Sequence, residues 1–348
     1  MKIREHLTLA PYTTFQVGGP ARFFVEAADE SEVLQALQHA RSHSLPLFVL
    51  GGGSNLVVAD TGWPGLVLKI GISGISTRES NGKRLFHAGA GEDWDKLVAL
   101  SVEQNCAGIE CMSGIPGTVG GTPVQNVGAY GQEVAETITS VRVIEIATGN
   151  VTEMSNAECG FSYRTSIFNS TQKGRYIVTQ VSYLLTPGGA PRIDYADLKR
   201  HFAGRSQSPS LGQTREAVRQ IRASKAMLIT AGDDDCRSAG SFFKNPIVAV
   251  AEYERIAALS VCREQKPPSY PAEDGQVKIS AAWLVERSGF HKGFAMGRVG
   301  ISRKHSLAIV NRGGATAAEI VELKNKVQEG VANVFGVTLH PEPVFVGF

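Results

Sequence analysis

The sequence predicts an α+β fold in three parts. Over the first 200 or so residues, strand-like apolar runs alternate with amphipathic helical segments. From about residue 214 the pattern changes to helices separated by short strands. The 38 glycines are concentrated in a few clusters, and no internal repeat is visible. A chain of 348 residues has ample length for a buried core.

The first predicted part ends near residue 72 and is a β-α-β-β unit. Its helix would bury Val33, Leu34 and Leu37 on one face. Strands are predicted over 21–27, 45–51, 56–60 and 65–71, and the helix over 31–44.

The second predicted part adds a strand, a helix and a hairpin. Thr148, Gly149 and Asn150 give the hairpin its turn, because Gly and Asn tolerate the left-handed backbone that tight turns require. The elements are a strand over 84–91, a helix over 93–105, a hairpin over 140–155 and a strand over 175–185.

The third part ends in a long helix that begins near residue 316. Thr316 and Glu319 form a capping-box pattern, and Ile320, Leu323 and Val327 begin its apolar face. Before it we expect helices over 214–226, 252–259 and 280–289, and strands over 241–250 and 305–311.

Composition excludes several classes of protein. The net charge of +2 gives no electrostatic basis for binding nucleic acid or a membrane surface. No apolar run reaches the roughly 20 residues of a membrane helix, and the N-terminus lacks the pattern of a signal peptide, so we expect a cytoplasmic protein. The five cysteines form no CxxC pair, and the histidines show no metal-ligand spacing, so neither disulfides nor a metal site are predicted.

The first glycine cluster, Gly51-Gly52-Gly53-Ser54-Asn55, follows a predicted buried strand. Bare N–H groups in such a turn suit an anion such as phosphate. A strand rather than a helix follows, which argues against Rossmann and P-loop folds. An ordinary tight β-turn is an equally good reading of this cluster.

The second cluster extends from Gly114 to Gly131. A single turn does not need so many glycines, whereas a long ligand lying along the backbone does, because Cβ atoms would hold a pyrophosphate away. Two glycine loops in neighbouring α+β units therefore favour a dinucleotide. The residues singled out here are Ser113, Gly114, Gly117, Thr118, Gly120, Gly121, Asn126, Gly128, Tyr130 and Gly131.

Three further segments carry candidate polar groups. Arg164 lies between aromatics in "GFSYRTSIF" and could bind a carboxylate or phosphate, although a structural arginine is the plainer reading. Ser241 precedes Lys244 and Asn245, which suit a phosphate or an amide-bearing ring; a locally bonded hydroxyl is the alternative. Glu342 stands between two prolines in a stiff segment, or is simply an exposed acid.

Together these stretches resemble one family, the UDP-N-acetylenolpyruvoylglucosamine reductases, also called UDP-N-acetylmuramate dehydrogenases. The matching motifs occur in the same order along nearly the whole chain, and together they are specific for this family. It is carried by "TTFQVGGPARF", "LGGGSNLVV", "GIPGTVGGTPVQNVGAYGQE", "YRTSIF", "GSFFKNP", "KISAAWLVERSGFHKG" and "HPEPVFVG".

The resemblance implies an FAD enzyme of the vanillyl-alcohol-oxidase-like fold with a C-terminal substrate-binding domain. NADPH would reduce the flavin, which would reduce the enolpyruvyl group of UDP-N-acetylglucosamine enolpyruvate to give UDP-N-acetylmuramate for peptidoglycan. The implied parts are FAD-binding subdomains over 1–72 and 73–213, a substrate-binding domain over 214–335, and a C-terminal strand over 336–348 that carries the catalytic Glu342.

The resemblance also implies roles for residues. Arg164 and Glu342 would act at the substrate carboxylate, and Ser241 would donate the proton. FAD would be bound by Gly51–Asn55 and by Ser113, Pro116, Gly117, Thr118, Gly120, Gly121, Asn126, Gly128 and Tyr130. Substrate would be bound by Tyr163, Tyr195, Lys225, Asn245 and Tyr270.

The segments "RIDYADLK" and "PPSYPAEDG", with Tyr270, resemble the longer family type, whose tyrosine loop folds over UDP. Two positions depart from the family pattern: Val344 stands where Arg is frequent, and Ala295 where a polar residue commonly touches substrate, with Arg298 as its candidate replacement.

Two other functions remain open from sequence, an alcohol-oxidising flavoenzyme of the same fold and a non-catalytic nucleotide-binding module. The joint presence of Arg164, Ser241 and Glu342 argues against the module.

Overall fold

The computed structural model describes residues 1–259 and 265–348, so Cys262 lies outside the described residues. The chain forms two compact units. The first comprises residues 1–7, 21–53 and 63–228, and the second comprises 8–20, 54–62 and 229–348. These limits differ from the expected boundaries at 72, 213 and 335, which stay predictions.

The helices follow local capping and periodicity. Asp29 and Asp93 cap the first two helices by accepting from backbone amides three residues ahead. The α-helices are α1 Glu30–Ser42, α2 Trp94–Glu103, α3 Ala196–His201, α4 Leu211–Ser224, α5 Val250–Ala257, α6 Ala281–Arg287 and α7 Ala317–Phe335.

The strands are mostly short. They are β1 Ile3–Thr8, β2 Pro20–Ala27, β3 Leu47–Leu50, β4 Leu56–Val58, β5 Trp63–Ile70, β6 Ile75–Ser80, β7 Lys83–Gly89, β8 Cys106–Ala107, β9 Gly128–Ala129, β10 Gln132–Glu133, β11 Ile138–Glu145, β12 Val151–Ser155, β13 Tyr176–Pro187, β14 Ile247–Ala249, β15 Ser269–Pro271, β16 Gln276–Ile279, β17 Ala295–Met296, β18 Val299–Ile301, β19 Ile309–Asn311 and β20 Val344–Val346.

The first unit contains two main sheets over one core. One sheet has the order β1-β2-β5-β3, with β2, β5 and β3 parallel. The other has the order β12-β11-β13-β7-β6 and is antiparallel. A single buried cluster takes residues from both sheets, including Leu68 and Val141. A smaller cluster packs α3 and α4 against Tyr130 through Leu198 and Val218.

The second unit is built around α7. Its helix face buries Ile320, Leu323 and Val327 in a cluster with residues of α6, β18 and β19. Small sheets of order β14-β16-β15 and β17-β18-β19 complete the unit, together with the parallel pair β20-β4. Among the described residues, no helix combines the length and apolar character required to cross a membrane.

The predicted α+β class is confirmed, as are the hairpin at 148–150 and the capping box of Thr316 and Glu319. Leu34 was placed wrongly: it is exposed, and Ala36 and Ala40 join Val33 and Leu37 in the buried face of α1.

Three predicted strands also need correction. The strand over 241–250 is reduced to β14, because the amides of Phe242 and Lys244 donate to two different segments, at Leu307 and His340, and Pro246 has no N–H. The strand over 305–311 is reduced to β19. The third case is β4, which belongs to the second unit, where it pairs with β20 rather than with the β-α-β-β unit.

Candidate functional site

The two glycine clusters meet in the first unit. An ideal Cβ on Gly52 would lie 2.5 Å from the Gly117 Cα atom, so the two backbones approach too closely for any side chain. Gly120 is equally constrained, because its Cβ would lie 2.6 Å from the Ala90 Cβ and its N–H donates to the Ala90 oxygen over 2.8 Å. Part of the bare backbone therefore serves loop-to-loop packing. The assignment of Gly52 and Gly120 to FAD stays a prediction.

Other positions of the same loop do offer room and an unused polar group. An ideal Cβ on Gly121 meets no atom of the described residues within 4 Å. The buried hydroxyl oxygen of Thr118 has no hydrogen-bond partner within residues 1–259 and 265–348. A buried hydroxyl without a partner is costly, so this oxygen fits a site that a bound group completes. The loop thus fits a cofactor on the side of Thr118 and Gly121.

Several of the predicted cofactor-binding groups are already bonded within the protein. The Gly114 N–H donates to Asp95 over 2.6 Å and the Gly121 N–H donates to Thr118 O over 3.0 Å. The Ser113 hydroxyl donates to Glu110 O. The amide group of Asn126 donates to Glu133 and to Ser162 O and accepts from the Ala135 N–H. These side chains and amides shape the loop, and Pro116 lies half-buried within it.

Asp95 links this loop to helix α4. Its carboxylate accepts from Arg215 over 2.6 and 2.8 Å and from Arg219 over 2.6 Å, in addition to the Gly114 N–H. Burial opposes ionisation, but the hydrogen bonds and the two guanidiniums outweigh it and hold the pKa of Asp95 below its usual value. Lys225, a predicted substrate residue, directly follows the last residue of α4, so the network of Asp95 connects the loop to the helix that carries Lys225.

Tyr130, expected to bind FAD, packs against two residues expected to bind substrate. The rings of Tyr130 and Tyr195 meet edge to face with centroids 5.4 Å apart, and the Lys225 Nζ lies 6.0 Å from the Tyr130 centroid. Lys225 also forms an ion pair of 2.6 Å with Asp197. Burial raises the pKa of Tyr130 to about 12, although the nearby Arg222 opposes the rise.

Arg164 has a backbone conformation that is rare for its residue type. Its φ is +54°, and its Nη2 donates to the Gly128 oxygen over 2.8 Å. Its guanidinium carbon lies 5.7 Å from the centroid of the Tyr163 ring, which is exposed. A strained backbone held by surrounding contacts is typical of functional positions.

In the second unit the segments of Ser241 and Glu342 adjoin. The Glu342 N–H donates to the oxygen of Phe242, the residue after Ser241, over 2.8 Å. Phe243 and Pro341 form an antiparallel bridge beside this bond. The Ser241 hydroxyl lies 3.0 Å from the Nε2 atom of His305.

The first glycine cluster reaches the same segments through Ser54 and Asn55. The Asn55 side chain donates to the Glu342 oxygen over 3.2 Å, and the Val344 N–H donates to the Asn55 oxygen over 2.9 Å. The Thr14 hydroxyl donates to Ser238 O over 2.6 Å and lies 3.3 Å from Ser54 O. Gly51, Gly52 and Gly53 belong to the first unit, with Gly53 at φ +65°.

Two further predicted substrate residues, Asn245 and Tyr270, belong to the second unit. The Asn245 side-chain oxygen accepts from the Ala281 N–H over 2.9 Å. Tyr270 lies exposed on β15 opposite Lys278. Arg298, considered as a replacement at position 295, is paired with Glu319 over 3.1 Å, and that role stays a prediction.

Comparison with known proteins agrees with this arrangement. Residues 21–155 match an FAD-binding-domain family, and residues 232–346 match the C-terminal domain of UDP-N-acetylenolpyruvoylglucosamine reductase. The UDP-N-acetylenolpyruvoylglucosamine reductase of Thermobifida fusca is 46% identical, over 99% of this chain and 98% of that protein. The chain belongs to the UDP-N-acetylenolpyruvoylglucosamine reductase family.

Two further relatives extend the match. The UDP-N-acetylenolpyruvoylglucosamine reductase of Saccharopolyspora erythraea is 45% identical, over 97% of this chain and 94% of that protein. The crystal structure of UDP-N-acetylenolpyruvylglucosamine reductase from Thermus caldophilus superimposes with a TM-score of 0.67 at 26% identity, over 99% of this chain and all of that one. The expected flavin-binding fold with a C-terminal reductase domain is confirmed, and this reductase is an FAD-dependent enzyme of peptidoglycan-precursor synthesis.

Sequence reasoning missed four residues of this reductase that shape the site. Thr14, Asp95 and Arg222 fix loops by hydrogen bonds to main-chain atoms far away in sequence, and the buried Arg222 donates to the Gly114 oxygen. His305 was considered only as a metal ligand, and its contact with Ser241 spans 64 positions. Periodicity and motif spacing contain no signal for such contacts.

Proposed function

We propose that this reductase uses NADPH and bound FAD to reduce the enolpyruvyl double bond of UDP-N-acetylglucosamine enolpyruvate, giving UDP-N-acetylmuramate in the cytoplasm. The observation that carries the proposal is the 2.8 Å bond between the Glu342 N–H and the Phe242 oxygen. It brings the expected acid and the expected proton donor, Ser241, into adjoining segments.

Bound FAD, once reduced by NADPH, would supply a hydride, two electrons and one hydrogen, to the vinyl carbon of the substrate. We assign FAD binding to the loop whose Thr118 hydroxyl has no partner in the described part of the chain and whose Gly121 faces open space there. The close approach of Gly52 and Gly117 fixes the shape of that loop.

Arg164 is assigned to the substrate carboxylate. As that carboxylate accumulates charge in the enolate, two parallel N–H donors of one guanidinium suit it better than a single ammonium does. Glu342 acts at the same end of the substrate. Ser241 then delivers a proton to the carbon beside the carboxylate: its O–H bond breaks, a C–H bond forms, and the electron pair stays on Oγ.

The UDP moiety is assigned to Tyr195, Lys225, Asn245 and Tyr270. The exposed rings of Tyr195 and Tyr270 support this role, because aromatic faces in solvent can cover a nucleotide. We also propose that the segment around Tyr270 makes this chain a member of the longer, tyrosine-loop type. The Asn245 oxygen already accepts from Ala281, so its NH₂ group is assigned to substrate.

Separate half-reactions test the assignment of Ser241. In Ser241→Ala, NADPH should reduce the flavin at close to the wild-type rate, because this step needs no proton for the substrate carbon. Reoxidation by substrate should slow by about 10²–10⁴-fold, the usual contribution of a positioned acid. Stopped-flow absorbance at the flavin band measures both steps, and equal slowing of both would show that Ser241 has a structural role.

Two comparisons sharpen the test. Ser241→Cys, which carries a more acidic donor, should recover part of the reoxidation rate, and Arg164→Lys should weaken substrate binding as well as slow this step. Product should form only with the UDP-linked enol ether. Equal turnover of an unlinked enol ether would remove the assignments of Tyr195, Lys225, Asn245 and Tyr270.

A further inference from the structure

The hydroxyl of Ser241 is paired with an imidazole that the proposed reaction does not yet use. The Ser241 Oγ and the His305 Nε2 lie 3.0 Å apart, within hydrogen-bond distance. A serine hydroxyl alone is a poor acid, so a serine that protonates carbon needs a partner to stabilise the oxygen it leaves behind.

Both members of the pair are fixed by their neighbours. Phe242, next to Ser241, donates its N–H to the oxygen of Leu307 over 2.8 Å, which ties the serine segment to the segment after His305. The Ala308 N–H closes a turn by donating to the His305 oxygen over 3.1 Å. These main-chain bonds hold the serine segment beside the segment of His305.

A buried carboxylate holds the turn that leads into His305. Asp235 accepts from the Ser302 hydroxyl over 3.1 Å and from the Arg303 N–H over 2.9 Å. Asp233 forms an ion pair of 2.5 Å with Lys304, the residue before His305. The imidazole thus stands on an anchored turn.

The direction of the bond decides what the pair can do. If Ser241 donated to His305, its proton would point away from the substrate. If Nε2 donates to Oγ, the serine proton is left to point at the substrate carbon, and the growing charge on Oγ is met by an N–H donor.

We propose that His305, as the imidazolium, donates through Nε2 to Ser241 and resupplies its proton during the reaction; this rests on the proposed role of Ser241. The serine O–H bond breaks as the C–H bond forms, the Nε2–H bond breaks as a new O–H bond forms on Oγ, and His305 is left neutral. Solvent returns the proton before the next turnover. His305 is a positioning residue, because it acts only through Ser241.

Charged and titratable groups of both signs lie on the segments that carry or hold the pair. They lie on the turn before His305, on the segment that holds this turn, on the serine segment and on the C-terminal segment. They are Arg303, Lys304, Asp233, Asp234, Asp235, Arg237, Lys244, His340 and Glu342.

The pH dependence of substrate-driven flavin reoxidation in the holoenzyme tests the proposal. In the wild type this rate should fall about tenfold per pH unit above the pKa of His305, because only the imidazolium supplies the proton. His305→Gln keeps a hydrogen bond but cannot titrate, so its rate should lose that fall and be lower at acidic pH by up to about 10²-fold. His291→Gln, at an exposed histidine of the same unit, is the matched control and should retain the wild-type profile.

Two readouts separate this role from a structural one. The double variant Ser241→Ala/His305→Gln should be no slower than Ser241→Ala, because His305 acts through the serine. Nitrogen NMR of labelled imidazole should show protons on both ring nitrogens of His305 in the wild-type holoenzyme, at the pH where substrate-driven reoxidation is fastest. A neutral imidazole at that pH, or a wild-type pH profile in His305→Gln, overturns the proposal while Ser241 keeps its role. If the wild type is not reoxidised by the UDP-linked substrate, it is the proposed function that fails.

Discussion

The side chain of Asn55 donates to the main-chain oxygen of Glu342 over 3.2 Å, and Val344 donates back to the Asn55 oxygen over 2.9 Å. The end of the first glycine cluster is thereby attached to the segment of the proposed catalytic acid. Strands β4 and β20, which pair in parallel next to these bonds, extend the attachment.

Asn55→Asp should break this attachment. A carboxylate cannot donate, and it would face the Glu342 oxygen with a second acceptor, which costs about 1–3 kcal/mol of unfolding free energy. Substrate-driven reoxidation should slow more than flavin reduction. Denaturant unfolding and the two half-reactions measure these effects. Asn81→Asp, in the exposed β6–β7 turn, is the matched control, since Asp also tolerates the φ of +50° found there.

Thr118→Val should change apoprotein stability and flavin affinity in opposite directions. Valine has the same shape and removes a buried hydroxyl that has no protein partner, so apoprotein stability should be unchanged or raised. If the hydroxyl binds FAD, affinity should fall about 10- to 100-fold, the effect of losing a hydrogen bond to a charged group. Urea unfolding of apoprotein and flavin-fluorescence titration measure the two quantities.

Thr122→Val is the control for that experiment. Its hydroxyl donates to Val119 O over 2.8 Å and lies 2.6 Å from the buried Tyr183 hydroxyl, so this variant should lose about 1–3 kcal/mol of apoprotein stability. Wild-type FAD affinity in Thr118→Val would exclude the Thr118 hydroxyl from the flavin site.

Glycine substitutions should divide into two classes. Gly52→Ala places a methyl group 2.5 Å from the Gly117 Cα, so it should destabilise the apoprotein by about 1–3 kcal/mol or prevent folding. Gly121→Leu places its side chain in open space, so the apoprotein should fold and melt normally but retain little FAD. Flavin absorbance per mole of protein and apoprotein melting distinguish the classes, and a full flavin complement in Gly121→Leu would contradict the assigned cofactor position.

Asp95→Asn should make the unfolding free energy depend less on pH at acidic pH. The folded pKa of Asp95 is below its usual value, so its ion pairs contribute fully above the unfolded pKa of about 3.9 and are lost as pH falls through the lower folded pKa. The wild type should lose stability over that window, and the variant should lose less there while being about 1–3 kcal/mol less stable at pH 7. Denaturant unfolding between pH 7 and 3 provides the comparison.

Asp93→Asn, two residues earlier, is the control for Asp95→Asn. Asp93 caps α2 by accepting from the Lys96 N–H, and Asn caps helices equally well. If the unfolding free energy of Asp95→Asn falls with pH as steeply as that of the wild type, the ion pairs with Arg215 and Arg219 contribute little to stability.

The sequence alone determined the elements whose signals are local. The capping box of Thr316 and Glu319 and the buried face at Ile320, Leu323 and Val327 follow from side chains within two turns of each other. The family resemblance likewise depended on contiguous motifs, and it identified the flavin fold and the reductase activity before any contact was known. Polar β6 was missed because it lies at a sheet edge, where one-sided burial leaves little hydrophobic alternation.

Only the tertiary structure decided where these elements meet. From its position in the sequence, strand β4 is expected beside β3 and β5. It pairs instead with β20, nearly 300 residues away, because a short apolar strand can pair with any strand that has an unpaired edge. Gly52 and Gly120 read as ligand-facing backbone, and the fold adds a second reason for glycine at both positions, because a Cβ atom there would collide with Gly117 or Ala90. The contact of Ser241 with His305 depends on the main-chain bond from Phe242 to Leu307, and a hydrogen bond between distant segments leaves no periodicity or spacing in the sequence.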